Sequence, residues 1–490
     1  MQKILRSEPH RASSEIGYLS IADIHNSYHQ GSLTPAELFD QLRTRIEEIE
    51  DEENIDLHAV IEIDHGIIDS PIEHLDISEK PLFGIPVIFK DNIEVRGWLA
   101  AAGSNGFMRP AATDAVVVER LRASGAVPLA SANMTEWAAA SSQGLEDGES
   151  TRGGLTGNPW ALDRSAGTSS SGCAAAVAAG YAPIAIGTET MGSLSMPASH
   201  CGVFAMKATR GLVPNTGIVP YSTTQDVPGV FARNLSDLKT VMSVLVEREI
   251  QPNNNVSVCA GHDRDLGKVD QSDEELLQKY ERFCVELAEI GCANADIPEI
   301  EEAEYGRIAN ILTAELVRDL GGYLGRRDGA RWQSLHEIVE ASQVLVLGVD
   351  GGVEPAPCDQ FALALCAEPI DIELERFRSE KYFEDFLEEI LGVNNVLLAI
   401  AYGPAEKLDT SRRYKRPAYR YHSFLDSMSS IVGWPSLTIP FTTIDDLPVG
   451  LVLIARKGCE DDLLGAAQLL ESNGLAGNFE RPKWCSPRRG

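Results

Sequence analysis

The sequence predicts an α/β protein, a mixed central β-sheet covered by helices on both faces. Two observations carry that prediction. From about Pro81 onward, short β-branched runs alternate with helical segments, the pattern of a layered sheet rather than of a bundle or a sandwich. The chain has 490 residues, 43% of them hydrophobic and 23% charged, which is enough apolar material for a large core.

The first element is a helix opened by Thr34-Pro35-Ala36-Glu37, where Thr caps, Pro takes the first helical position and Glu closes a capping box. Leu38, Leu42, Ile46 and Ile49 then form one apolar stripe that must face a core. Strands are expected at Ile85–Phe89, Val127–Leu129 and Pro183–Ile186. Between the first two, Thr113-Asp114 opens a helix carrying Val116, Val117 and Leu121, and Gly125 ends it. An Ala-rich helix is expected from near Cys173 to Gly180, preceded by the small, polar run Ser165–Gly172, which on composition alone reads equally well as a flexible linker. Pro252–Asn255 is a connection, 256–390 reads as mostly helical and acidic with a Gly/Pro-rich loop at Gly348–Pro357, and the tail returns to strands, most clearly Val449–Ile454.

Forty-two Lys and Arg against 73 Asp and Glu give a formal net charge of -31, which repels phosphate backbones and anionic lipid and argues against nucleic-acid and membrane partners. Solubility accounts for the acidity more simply than steering of a cationic substrate. Nine cysteines form no C-x-x-C pair, and Cys259 with His262 has ligand spacing without a second pair, so neither a disulfide framework nor a metal site is expected. Met1–Gly17 lacks an apolar leader segment, and no run reaches the roughly 18 apolar residues of a membrane span, so the expected location is cytoplasmic.

Three segments carry the chemistry: Gly84–Asn92 ending in Lys90-Asp91-Asn92, the Ser-rich loop around Ser169, and Gly187-Thr188-Glu189-Thr190-Met191-Gly192-Ser193. At these residues the chain resembles the amidase-signature family. Its "GGSSGGSA" run matches Gly167–Ala174, its "GTDTGGS" run matches Gly187–Ser193, and Lys90 stands where the family has its lysine. Further matches are Asn133–Trp137, Asn158–Trp160, Cys201–Val203, Gly433–Ser436 and Leu447–Leu451. Arg152-Gly153-Gly154, the triple serine and Gln225-Asp226 most resemble the peptide amidase branch.

The resemblance implies the amidase-signature fold as one domain over 1–490. Within it, 76–250 would form the signature core, 1–75 an N-terminal helical region, 256–390 a variable, substrate-selecting region, and 391–490 the part that completes the core. It implies Ser193 as nucleophile, Ser169 as proton relay and Lys90 as base. The backbone N–H groups of Thr190, Met191, Gly192 and Ser193 would form an oxyanion hole, with Ser170, Asn133, Gln225 and Asp226 as supporting or substrate-binding residues. In the family the relay serine follows a cis bond, so a cis Thr168–Ser169 peptide is expected. No cofactor and no metal are implied.

The residue types suit such chemistry. A serine hydroxyl needs a base within hydrogen-bond reach, and an amide nitrogen must be protonated to leave. Lys90 can serve only if neutral, which burial behind Ile85–Phe89 would favour. Met191 stands where relatives commonly carry Gly or Asp; it either narrows the mouth of the site or fills core. Ser195 replaces an Arg or Thr often found two residues after the nucleophile, so a charged clamp for acidic substrates is not expected.

Neither serine sits in a G-x-S-x-G elbow, no H-E-x-x-H is present, and His200-Cys201 reads as core. The functional expectation is an amidase acting on a primary carboxamide, with the C-terminal amide of a peptide or an aryl amide as candidates, and a homodimer left open. The alternatives are a glutaminase-type amidotransferase subunit, or an acyl transferase that passes the acyl group to an amine. A third is a non-catalytic member that kept the fold, against which intact Lys90, Ser169 and Ser193 stand.

Overall fold

The computed structural model describes residues 15–51, 55, 57–64, 80–140, 145–263, 271–347, 359–408, 424–477, 479 and 481–482. The loop expected at Gly348–Pro357 lies outside them, as does most of Met1–Gly17.

An 11-stranded mixed sheet forms the centre. In chain order its strands are β1 (Val60–Ile63), β2 (Pro86–Lys90), β3 (Val127–Ala132), β4 (Ile184–Glu189), β5 (Phe204–Lys207), β6 (Val227–Ala232), β7 (Val258–Asp263), β8 (Ala293–Ile297), β9 (Val396–Ile400), β10 (Ser436–Ile444) and β11 (Leu447–Ala455). Across the sheet they run β1-β3-β2-β4-β6-β5-β10-β11-β9-β7-β8. β2 is parallel to both β3 and β4, β7 is parallel to β8 and β9, and the other pairs are antiparallel.

Period-two alternation places helices on both faces. Along β9, Val396, Leu398 and Ile400 join the core packed by helices Gln271–Glu289 and Glu460–Ser472. Leu397 and Ala399 join a second core packed by helices Ile372–Leu391 and Leu425–Val432. The N-terminal helix is Pro35–Glu50, with the Thr34/Glu37 capping box formed and Leu38, Leu42, Ile46 and Ile49 buried.

Two expectations about helices need correction. The helix expected at Thr113-Asp114 begins at Val116, with Ala115 at its N-cap and no side-chain cap. The Asp114 carboxylate is drawn off by the neighbouring loop, accepting from the Arg96 N–H at 2.7 Å and pairing with Arg122 at 3.0 Å. Gly125 follows the helix at φ 93°, as expected. In 256–390 the helices are present, but β7 and β8 also lie there and extend the central sheet. The Cys-Ala-Gly centre of β7 has small residues with weak strand preference, which hid it.

The Ser-rich run is not a linker. Ser169, Ser170 and Ser171 are buried, and Ser171 is the first residue of helix Ser171–Ala178, with Ser170 at its N-cap. Cys259 is buried with its thiol toward the Ile390 carbonyl, and His262 contacts Asn294.

Candidate active site

Parallel pairing of β2 with β4 sets the carboxyl ends of both strands side by side, the position where open α/β sheets bind ligands. Lys90 is the last residue of β2; β4 ends at Glu189 and runs into the Thr190–Ser193 loop. The Lys90 side chain is 1% exposed. Its Nζ lies 2.7 Å from Ser169 Oγ, 3.0 Å from Thr188 Oγ1 and 3.4 Å from the Thr188 carbonyl. Burial pulls the Lys90 pKa down to about 7, partly opposed by the nearby acidic groups of Asp226 and Glu189. An amine in that range is substantially neutral at physiological pH and has a lone pair that can take a proton from Ser169.

Ser169 reaches Lys90 from a turn made at Gly167, whose φ is 89°; a Cβ there would come within 2.6 Å of Pro197 Cα. The Thr168–Ser169 peptide is trans, contrary to expectation, and no cis bond occurs among the described residues. The left-handed glycine makes the chain reversal, and Ser169 meets Lys90 with an ordinary bond. Ser170 closes the loop onto β4, donating to the Thr188 carbonyl at 3.0 Å and accepting from the Thr188 N–H at 3.3 Å.

Ser193 is 7% exposed at the end of the loop that follows β4. Among the described residues no hydrogen bond joins it to Ser169, and none uses the backbone N–H of Thr190, Met191, Gly192 or Ser193. Met191 is half-buried, packed against the second core.

The loop is held from several sides. The Gln225 amide donates to the Thr190 carbonyl at 2.8 Å, and Asp226 accepts from the Thr190 hydroxyl at 2.6 Å. The other oxygen of Asp226 takes the N–H groups of Tyr221 and Ser222; burial raises its pKa to about 6. A cleft lined by Ile218, Pro220, Thr223, Tyr323 and Arg326 opens against Asp226. Asn133 is different: its carboxamide is spent on the Met134 N–H, Ser150 and the carbonyls of His58, Gly153 and Gly154, so it organises a loop. His200 is core, as expected; burial lowers its pKa to about 4.

Several supporting residues were not singled out from the sequence. Glu189 receives the N–H groups of Leu194 and Ser195 on one oxygen and the Lys207 ammonium, at 3.0 Å, on the other. Lys207 closes the apolar run Phe204–Met206 just as Lys90 closes Ile85–Phe89, a signal that was available. Asp426 accepts from Ser195 and Tyr402, and no local pattern marks it. Lys207→Met should cost about 3–5 kcal/mol of stability in urea denaturation, because it strands the Glu189 carboxylate, which is 0% exposed in its side chain, without its cation.

The Amidase family model matches residues 68–464. The chain belongs to the amidase family, as its motifs implied. It is 29% identical over 490 aligned residues to the A subunit of glutamyl-tRNA(Gln) amidotransferase from Symbiobacterium thermophilum, covering 92% of this chain and 95% of that one. The corresponding protein of Acinetobacter baumannii strain AYE is 31% identical over 420 residues, 80% of this chain and 83% of that protein. Among solved structures, native peptide amidase from Stenotrophomonas maltophilia superposes with a TM-score of 0.84 at 26% identity, covering 96% of this chain and 99% of that one. No helix among the described residues is long and apolar enough to cross a membrane.

Proposed function

We propose that this enzyme hydrolyses the carbon-nitrogen bond of a carboxamide through an acyl-enzyme on Ser193. The observation that carries the proposal is the buried Lys90 amine held 2.7 Å from Ser169. In the first half-reaction Ser193 Oγ bonds to the amide carbon while its proton passes to Ser169, whose own proton moves to Lys90. The oxyanion is met by the unused N–H groups of the 190–193 loop. The C–N bond then breaks as the proton returns along the relay to nitrogen, and the amine leaves. Water repeats the sequence and releases the acid. Ligand-free catalytic contacts are commonly long and tighten with substrate, which accommodates the open Ser169–Ser193 step.

Likeness to peptide amidase supports the C-terminal carboxamide of a peptide as the substrate class. The extended identity to an amidotransferase component supports a second reading, in which the ammonia serves a partner. A carboxamide panel including glutamine, assayed on the isolated chain with hydroxylamine as a competing acceptor, separates the two. Release of ammonia from peptide amides, with water as acceptor, is expected. Release from glutamine alone would favour the amidotransferase reading. A fluorophosphonate probe should add one adduct by intact mass, mapping to Ser193; labelling elsewhere would overturn the assignment.

Gly192 gives a further check. It sits at φ 72°, and a Cβ there would come within 2.2 Å of the Tyr402 hydroxyl and 3.0 Å of Asp426. Gly192→Ala should displace the N–H donors and lower kcat by about 100-fold, the scale of one lost oxyanion donor. Steady-state kinetics on the best amide of the panel would show it.

A further inference from the structure

We propose that Arg376, on helix Ile372–Leu391, is a positioning residue that acts through Gln225 to set the Thr190–Met191 peptide and present the Met191 N–H; the proposal rests on the acyl-enzyme reading above. Arg376 is buried. One edge of its guanidinium is taken by Glu315, with Nε donating to Oε1 at 3.2 Å and Nη2 to Oε2. Glu315 lies on helix Glu302–Leu324, is 0% exposed, and also accepts from the Ser222 and Thr224 hydroxyls. Bidentate pairing fixes the plane of the guanidinium. The remaining nitrogen, Nη1, is thereby aimed at Gln225 Oε1, 2.9 Å away.

Gln225 then has one orientation open to it. It stands between Arg376, which can only donate, and the Thr190 carbonyl, which can only accept. Its oxygen must face the arginine and its nitrogen the carbonyl, at 2.8 Å. In a trans peptide the C=O and N–H point in opposite directions, so drawing the Thr190 carbonyl toward Gln225 turns the Met191 N–H away from it. That N–H has no acceptor within the protein among the described residues. Asp226, holding the Thr190 hydroxyl, restrains the same residue from its side chain. A chain of directional contacts therefore runs from two helices of the 256–390 region to the peptide that supplies a candidate oxyanion donor.

The test compares Gln225→Met, Arg376→Lys and the double variant in the full-length chain, with a carboxamide the wild type turns over. Gln225→Met keeps the Arg376–Glu315 pair but frees the Thr190 carbonyl. Arg376→Lys keeps a cation beside Glu315 but lacks the planar fork needed to hold Glu315 and Gln225 together. Gln225→Met is expected to lower kcat by roughly 30-fold with KM within about threefold, and Arg376→Lys by roughly 10-fold. In the Gln225→Met background Arg376→Lys should have less than about a twofold effect on kcat, because the route is already cut. An equal loss in both backgrounds, a change confined to KM, or a kcat within about twofold of wild type for either single variant would overturn the proposal. If Arg376→Lys does not fold, unchanged kcat in Gln225→Met alone overturns it. Ser193→Ala is assayed alongside: turnover equal to wild type there would show that the acyl-enzyme reading has failed, whereas an inactive Ser193→Ala with unaffected clamp variants would remove only this inference.

Discussion

Ser193→Ala is expected to lower carboxamide turnover by about 10⁴-fold or more while leaving the melting temperature within a few degrees of wild type. The first half follows from covalent catalysis. Removing the nucleophile leaves only the N–H donors and the binding surface, which cannot form the acyl-enzyme. The second half follows from what holds the loop. No hydrogen bond among the described residues depends on the Ser193 hydroxyl, and the next helix, Ser195–Cys201, is anchored by Glu189 through the N–H groups of Leu194 and Ser195. Ammonia release and calorimetry on the same preparation check both. Persistent turnover by a folded, purified variant would exclude Ser193 as the attacking group.

Lys90→Met carries the second-largest expected effect, a loss of about 10³-fold or more in kcat/KM with an altered pH profile. In the wild type, burial holds the Lys90 pKa at about 7. The reactive form is the neutral amine, so activity should rise with pH through that value, and the rising limb should vanish in the variant. Stability should rise with pH as well, over a higher range. The folded state gives up the Lys90 proton near pH 7, whereas the unfolded chain keeps it up to an ordinary lysine pKa near 10.5. Between those values the unfolded chain binds more protons, so this group's contribution to stability rises with pH and is least favourable at and below pH 7. Lys90→Met should therefore melt no lower than wild type at pH 7, with any advantage shrinking toward pH 10. A variant that loses stability at pH 7 and keeps the limb would contradict the burial argument.

Both effects depend on how residues far apart in sequence meet. Lys90, Ser169 and Ser193 could be picked out because each lies in a local run with a recognisable pattern: a lysine ending an apolar strand, a serine in a small-residue loop, a serine after Gly187-Thr188. The capping box at Thr34 and Glu37 was visible for the same reason, since its contacts span a single helical turn. Gln225 and Asp226 could be named from their motif, but their task could not. That they hold Thr190 is a fact of tertiary packing. Asn133 shows the converse, a residue in a motif whose hydrogen bonds are all spent on a neighbouring loop. The helix start at Val116 and the strands β7 and β8 escaped because competing tertiary partners and weak local preferences outweighed the signals in the sequence.

The amino-acid sequence by itself determined the fold class, the family and the positions of the lysine and the two serines, because those follow from periodicity and short motifs that operate over a few residues. Only the tertiary structure decided how dry Lys90 is, that Ser169 reaches it across a trans peptide, that Glu189 and Asp426 hold Leu194 and Ser195 just after Ser193, and that Gln225 and Asp226 hold Thr190 before it. Burial and hydrogen-bond direction arise from the summed packing of segments far apart in the chain, 79 residues for Lys90 and Ser169 and 231 for Ser195 and Asp426, and no local pattern carries that sum.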